Sequence, residues 1–453
     1  MPDMTALHDL TAAQAARLIR ERALSPVELV DALLARIERS QPHLKTFVTV
    51  DAEGARLAAR AAEQALTDGS NLGPLHGVPF AAKDIYHAAG LPTTAGYAPL
   101  ANAVAAADSF TVGRLKAAGA ILLGKTVTTQ FASADPSPTV NPWRADRTPG
   151  GSSSGTGASV GARLLPVALG TQTGGSILRP AAYNGAVGLK PTYGRVSRQG
   201  ILPLAWSLDH AGPIARTVED AALVLGVIAG HDPRDPQSLA ASVPDYRAAL
   251  ATPSAPPRLG LLTEFLDLAE PDVRAHTRSV ATRLQAAGAA VEPVTLPAPF
   301  DLYLAVHTVT NLSEAATVHA SWLARDRSAY SPRIRSTTML GGVLPDWAYL
   351  HAQRLRRRLA AQTATLMADF DALLLPTASN LPPDPATTGD PSFQAPWSLL
   401  GLPSISLPSG VSNDGLPFAV QLVSRHLDER TLLRTAQWVE RVLAFSARPP
   451  ERW

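Results

Sequence analysis

Two glycine/serine loops stand close together in this chain, TPGGSSSG at 148–155 and TQTGGS at 171–176. Between them lie a run of small residues, TGASVGA at 156–162, suited to a closely packed helix, and an apolar run, LLPVALG at 164–170, suited to a buried strand. Loop, helix, strand, loop returns the chain to the sheet edge from which it set out, so Ser152 and Ser176 are expected to be neighbours in space. Taken singly, each loop reads as a tight turn or a helix cap. A pair at this spacing, both opening helices, points to a site.

The rest of the chain has an α/β rhythm. SPVE at 25–28 is a capping box, with Ser25 as N-cap, Pro26 at the first helical position and Glu28 reaching back, and it opens a helix over about 26–39. Short apolar runs then alternate with helical patterns: FVTV at 47–50, a helix near 52–67, VPFAA at 78–82, a helix near 109–118 and AILL at 120–123. The alternation resumes with a helix near 217–230, LGLL at 259–262, a helix near 271–287, ALLLP at 372–376, SISLP at 404–408, FAVQLV at 418–423 and a helix from about 428 to 442. No repeat or linker divides the chain, and with 46% hydrophobic residues it has the material for one large core, so 1–453 is expected as a single domain. Residues 300–370 differ, with long helical patterns carrying Tyr303, Trp322, Tyr330, Trp347 and Tyr349. They read either as plain core or as a helical cap over a substrate channel.

Several chemistries are excluded or unsupported. The chain has no cysteine, which removes thiolate metal sites, disulfides and a cysteine nucleophile. Its 11 histidines show no paired spacing, so neither a metal nor another cofactor is expected. The formal charge is only +2, and its densest basic cluster, RLRRR at 354–358, has helical spacing and reads as a solvated helix face, so no nucleic-acid partner is expected. The N-terminal stretch MPDMTALHDLTAAQ lacks a long apolar run, which argues for no membrane anchor and a cytoplasmic location.

Two motifs mislead. GAILLGKT at 119–126 fits the phosphate-loop string, but its four variable residues, Ala120 to Leu123, read as a strand rather than a turn, so Lys125 is expected to end that strand. GSSSG at 151–155 fits a nucleophile elbow centred on Ser153, with Asp209 and His210 following. An elbow needs a strand directly before it, whereas NPWRADRTPG precedes this one, and adjacent Asp209 and His210 are expected to point apart.

GVPFAAKDI at 77–85 leaves Lys83 at the end of an apolar strand. Such a lysine is commonly paired with a carboxylate, here Asp84, or extended to solvent. As a base it must be neutral, and a lysine of ordinary pKa is neutral in only about 0.4% of molecules at pH 8. Desolvation by Val78, Pro79, Phe80 and Ile85 would supply the downward shift.

Together these elements resemble the amidase signature family over most of the chain. The resemblance is carried by GPLHGVPFAAKD at 73–84, GAILLGKT at 119–126, NPWRADRTPGGSSSG at 141–155, GTQTGGSILRPAAYNGAVGLKPTYGRVS at 170–197, SLDHAGPIART at 207–217, GLPSISLPSG at 401–410 and GLPFAVQLV at 415–423. It implies a mixed central β-sheet covered by helices on both faces and a Ser-cisSer-Lys triad of Ser176, Ser152 and Lys83, with a cis peptide before Ser152. Ser152 and Ser176 stand 24 residues apart, the separation usual in such proteins. In that arrangement Lys83 activates Ser176 through the Ser152 hydroxyl. The N–H groups of Thr173, Gly174, Gly175 and Ser176 form an oxyanion hole, and Thr171 orients the bridge.

The implied activity is cofactor-free hydrolysis of a small-molecule amide through an acyl-enzyme, by a monomer or homodimer. The alternatives are a glutamine-hydrolysing A subunit of an amidotransferase, a carbamate or ester hydrolase on the same triad, and a non-enzymatic binding protein on this fold. Four positions depart from the family pattern: Gln172 stands where Asp is frequent, Leu178 where Arg is frequent, Asn184 where Cys is frequent and Ser154 where Gly is frequent. The Asp and Arg would form an ion pair beneath the site, and Arg179 is offset from it by one residue.

Overall fold

In the computed structural model, which describes residues 4–69, 72–251 and 255–451, the apolar runs become strands of one mixed sheet flanked by helices on both faces. The strands are β1 (Phe47–Val50), β2 (Pro79–Lys83), β3 (Ile121–Thr126), β4 (Val167–Gln172), β5 (Val187–Lys190), β6 (His210–Ala215), β7 (Arg258–Leu262), β8 (Ala290–Val294), β9 (Ala372–Pro376), β10 (Ser404–Val411) and β11 (Pro417–Val423). Their order is β1-β3-β2-β4-β6-β5-β10-β11-β9-β7-β8. β3, β2 and β4 run parallel at one end and β8, β7 and β9 at the other, while the pairs between these zones are antiparallel.

FVTV, the helix Ala52–Thr67 and ALLLP fall where the sequence places them. The first long helix, Pro26–Leu44, outruns its expected end, because among its last seven residues only Ser40 and Leu44 are buried and the apolar periodicity disappears. Ser25 caps it by accepting from the N–H groups of Val27 and Glu28, but its own hydroxyl donates to Glu63. A reciprocal capping box lies one helix earlier, at Thr11 and Gln14. Strands β5, β6 and β8 escaped the sequence reading. β6 is wholly buried and contains Gly212 and Pro213, so it shows no alternation, and β8 is mostly exposed.

The phosphate-loop string is a helix end and a strand. Gly119, at φ +86°, follows the helix Phe110–Ala117. Gly124, at φ +150°, sits inside β3 where a Cβ would lie 2.1 Å from the Thr49 carbonyl of β1. Both glycines serve the backbone, and Lys125 is packed into the interior.

Residues 300–370 form the helices Phe300–Arg325, Pro332–Gly341 and Asp346–Leu366. Tyr330 and Trp322 join an aromatic cluster around Phe131, and Tyr303 is buried, so those three belong to the core; Trp347 is exposed. In the RLRRR run, Arg354, Arg357 and Arg358 are exposed as expected. Arg356 instead turns inward to the carbonyls of Leu399 and Ser207 and to the Ser207 hydroxyl.

Candidate active site

The three parallel strands β3, β2 and β4 deliver the site at their C-terminal ends, where open α/β sheets commonly place ligands. Lys83 closes β2, beside Thr126 of β3, and Thr171 and Gln172 close β4. Lys83 is fully buried, and its Nζ donates to Ser152 Oγ at 2.7 Å and to Thr171 Oγ1 at 2.8 Å.

The expected alternative partner of Lys83, Asp84, is engaged elsewhere. Asp84 accepts from Lys125 Nζ at 2.9 Å, with both side chains fully buried, and from the N–H and hydroxyl of Thr94. Burial pushes the Lys83 pKa well below the ordinary lysine value, opposed only by the charge of Asp209. The lysine of the misleading motif thus neutralises the carboxylate next to Lys83.

The first glycine/serine loop is held by three residues that depart from, or are offset from, the family pattern. The Gly151–Ser152 peptide is cis. The Gly151 carbonyl accepts from Arg179 Nη2 at 2.7 Å, and Arg179 Nε donates to the Thr388 carbonyl at 2.7 Å. Ser154 Oγ donates to the Gly150 carbonyl at 2.7 Å. Asn184 Nδ2 donates to the carbonyls of Pro149 and Pro180, both at 2.7 Å. Ser153 bonds to the backbone of Thr171, and neither Asp209 nor His210 approaches it: Asp209 accepts from Thr173 Oγ1 and from the N–H groups of Leu204 and Ala205, and His210 Nδ1 donates to Leu208. The elbow reading fails on this geometry.

In the second loop the carbonyls are pinned and the amides are left over. The Thr173 carbonyl accepts from His307 Nε2 at 3.1 Å, the Gly174 carbonyl from Ser398 Oγ at 2.7 Å, and the Gly175 carbonyl from the Arg179 N–H at 3.0 Å. Burial lowers the His307 pKa to about 4, so the ring is a neutral donor. The Ile177 and Leu178 N–H groups both donate to Gln172 Oε1 at 3.0 Å, and Gln172 Nε2 donates to Ser398 Oγ at 3.1 Å. Among the described residues no acceptor takes the N–H of Thr173, Gly174, Gly175 or Ser176. The Ser176 hydroxyl has no hydrogen-bond partner among them either, and the residue as a whole is 8% exposed.

Gln172 therefore fills the place of the frequent carboxylate as a neutral acceptor, and Leu178 is fully buried with no charge to meet. Sequence reasoning missed His307, Ser398 and Thr388, and set Asp209 aside with the elbow. The segment 381–397, a long proline-rich stretch between elements, was a usable signal, since loops of that length in a compact chain are commonly functional. Among the described residues no group of three His, Asp or Glu side chains is placed to hold a metal ion, and no helix is long and apolar enough to cross a membrane.

The chain is similar to several known proteins. The family model described as Amidase matches residues 28–433. The A subunit of glutamyl-tRNA(Gln) amidotransferase from Roseiflexus castenholzii is 39% identical over 487 aligned positions, covering 99% of this chain and 99% of its own. Among solved structures, a chain from work described as "An unexpected vestigial protein complex reveals the evolutionary origins of an s-triazine catabolic enzyme" is similar with a TM-score of 0.91 and 32% identity, covering 97% of this chain and 100% of that one. The native peptide amidase from Stenotrophomonas maltophilia is similar with a TM-score of 0.84 and 30% identity, covering 98% of both chains.

Proposed function

The chain belongs to the amidase signature family, and from that premise we propose that it hydrolyses the C–N bond of a small-molecule amide with Ser176 as nucleophile, Ser152 as proton relay and Lys83 as base. The observation that carries the reading is the position of Lys83: buried, without a bonded carboxylate, and within hydrogen-bond distance of Ser152 and Thr171. When neutral, Lys83 keeps one N–H on Thr171 and turns its lone pair to the Ser152 hydroxyl.

Attack by Ser176 Oγ forms the C–O bond while its proton passes to Ser152 and the Ser152 proton passes to Lys83. The carbonyl oxygen becomes an oxyanion received by the unpartnered N–H groups of Thr173, Gly174, Gly175 and Ser176. Collapse of the intermediate breaks the C–N bond, and the leaving nitrogen takes back the proton by the same relay. Water then repeats the sequence on the acyl-enzyme and releases the acid. A carbamate or ester would meet the same groups.

Full-length identity of 39% to an amidotransferase A subunit favours a second reading, in which the same triad releases ammonia from glutamine within a multi-chain assembly. Glutaminase activity together with stable co-purification of other chains would select it. A cytoplasmic monomer or homodimer acting on free amides accords with the first reading. A fluorophosphonate is expected to label Ser176, with no label in Ser176→Ala and slower labelling in Lys83→Ala. Wild-type protein that resists the reagent overturns the proposal.

A further inference from the structure

Two cavities meet at one side chain. The inner one, of about 190 Å³, borders the site through Thr171 and Thr173 and is walled by Ile85, Leu202 and Leu204. The outer one is a groove of about 610 Å³ between the helix Phe300–Arg325 and the turn that joins Pro332–Gly341 to Asp346–Leu366; Ala316, Ala320, Leu344 and Pro345 line it. Trp206 borders both.

The backbone at Trp206 is fixed while its ring is not. The Trp206 carbonyl accepts from the Tyr193 hydroxyl and from Arg198. The next residue, Ser207, is latched to the helices on either side of the groove: its N–H and hydroxyl donate to the buried carboxylate of Glu314, at 2.8 and 2.6 Å, and its hydroxyl and carbonyl accept from Arg356. The indole itself makes no hydrogen bond or ring contact among the described residues, and the residue as a whole is 37% exposed. Leu350, which lines the groove, and Leu340, Val343 and Trp347, which neighbour its lining residues in sequence, are all exposed, more apolar surface than a site for a small polar amide needs. In the inner cavity Arg198 pairs with Asp235 and Asp209 accepts from Thr173, while Gln199 Oε1 and His210 Nε2 stay without a hydrogen-bond partner among the described residues; the hydrocarbon part of the wall comes from Ile85, Leu202, Leu204 and Trp206.

We propose that the inner cavity and the outer groove form one passage that takes an apolar substituent, alkyl or aryl, of the amide substrate, with Trp206 as the wall against which that substituent packs at the junction. The inference rests on the amidase reading for its substrate and on continuity with the site for its direction. Each methylene drawn into the passage tightens binding roughly fourfold.

The test measures binding by calorimetry to Ser176→Ala protein, so that no turnover intervenes. Two ligand series are used, primary amides of growing acyl chain and acetamides of growing N-alkyl chain. At least one series is expected to gain affinity with chain length. Trp206→Ala is expected to flatten that gain near the junction, and Ala320→Trp, at an exposed groove position, to cut it off at longer lengths. Affinity independent of length in both series, or the same slope in Ala320→Trp as in its parent, overturns the proposal. A variant of that exposed apolar surface, Val343→Asp, that breaks self-association while both variants keep the parent slope would assign the patch to a second copy of the chain and also overturn it. Fluorophosphonate labelling reads the amidase proposal separately. A labelled protein with no length dependence defeats only the passage, and an unlabelled one with length dependence defeats only the chemistry.

Discussion

Lys125→Met tests whether the buried pair beside Lys83 is a structural unit. In the native protein Lys125 Nζ donates to Asp84 Oδ1 at 2.9 Å, to the Pro92 carbonyl at 3.0 Å and to Thr93 Oγ1 at 3.1 Å. Methionine matches the length and removes the charge, leaving the Asp84 carboxylate wholly buried with only Thr94 as donor. Breaking a buried pair from one side costs about 3 to 5 kcal/mol, and the two remaining bonds to Asp84 place this case at about 3 kcal/mol. Adding Asp84→Asn removes the stranded charge and returns about 2 kcal/mol or more of that loss. Urea unfolding of the four proteins in a double-mutant cycle reads the coupling directly. A coupling within about 0.5 kcal/mol of zero refutes the argument, because it would mean that water or another group already compensates Asp84.

The pH dependence follows from Lys83, whose pKa burial lowers and Asp209 raises. Since the base acts when neutral, kcat/KM is expected to rise with pH to a plateau and to fall as pH drops through that pKa; Asp209→Asn removes the opposing charge, so its acidic limb moves to lower pH, and movement to higher pH would contradict the assignment. The same linkage makes the folded chain bind fewer protons than the unfolded one between the depressed pKa and the ordinary lysine value, so stability to urea rises with pH across that window and Lys83→Met flattens the slope. Gln172→Leu strips the acceptor from the Ile177 and Leu178 N–H groups and is expected to destabilise by about 1 to 3 kcal/mol for each buried donor left unmet. Because those donors fix the turn that carries Ser176, kcat should fall more than tenfold with KM within about threefold. Lost stability with unchanged kcat would make Gln172 structural only.

What the sequence disclosed is what short-range physics encodes. Apolar runs bounded by caps and glycines became strands at their expected places, as at Phe47–Val50 and Ala372–Pro376, and the glycine/serine loops met Lys83 at the C-terminal ends of β2 and β4. What it withheld depends on contacts between distant segments. His307 and Ser398 pin the carbonyls of Thr173 and Gly174 from 134 and 224 residues away, and no local pattern marks either as reaching a loop so remote. The departures show why this matters. Read along the chain, Gln172, Leu178 and Arg179 are a lost ion pair and an offset arginine. In space, one residue along the short helix Leu178–Tyr183 turns the guanidinium toward Thr388 and Gly151, while Gln172 caps that helix without charge. Gln172 and Arg179 each have an anchoring role, and the anchor includes the segment around Thr388. Arg179 thus links that segment by hydrogen bonds to the peptide that precedes Ser152, and so ties Ser152, the proposed relay, to a loop that local sequence patterns mark only as a connection.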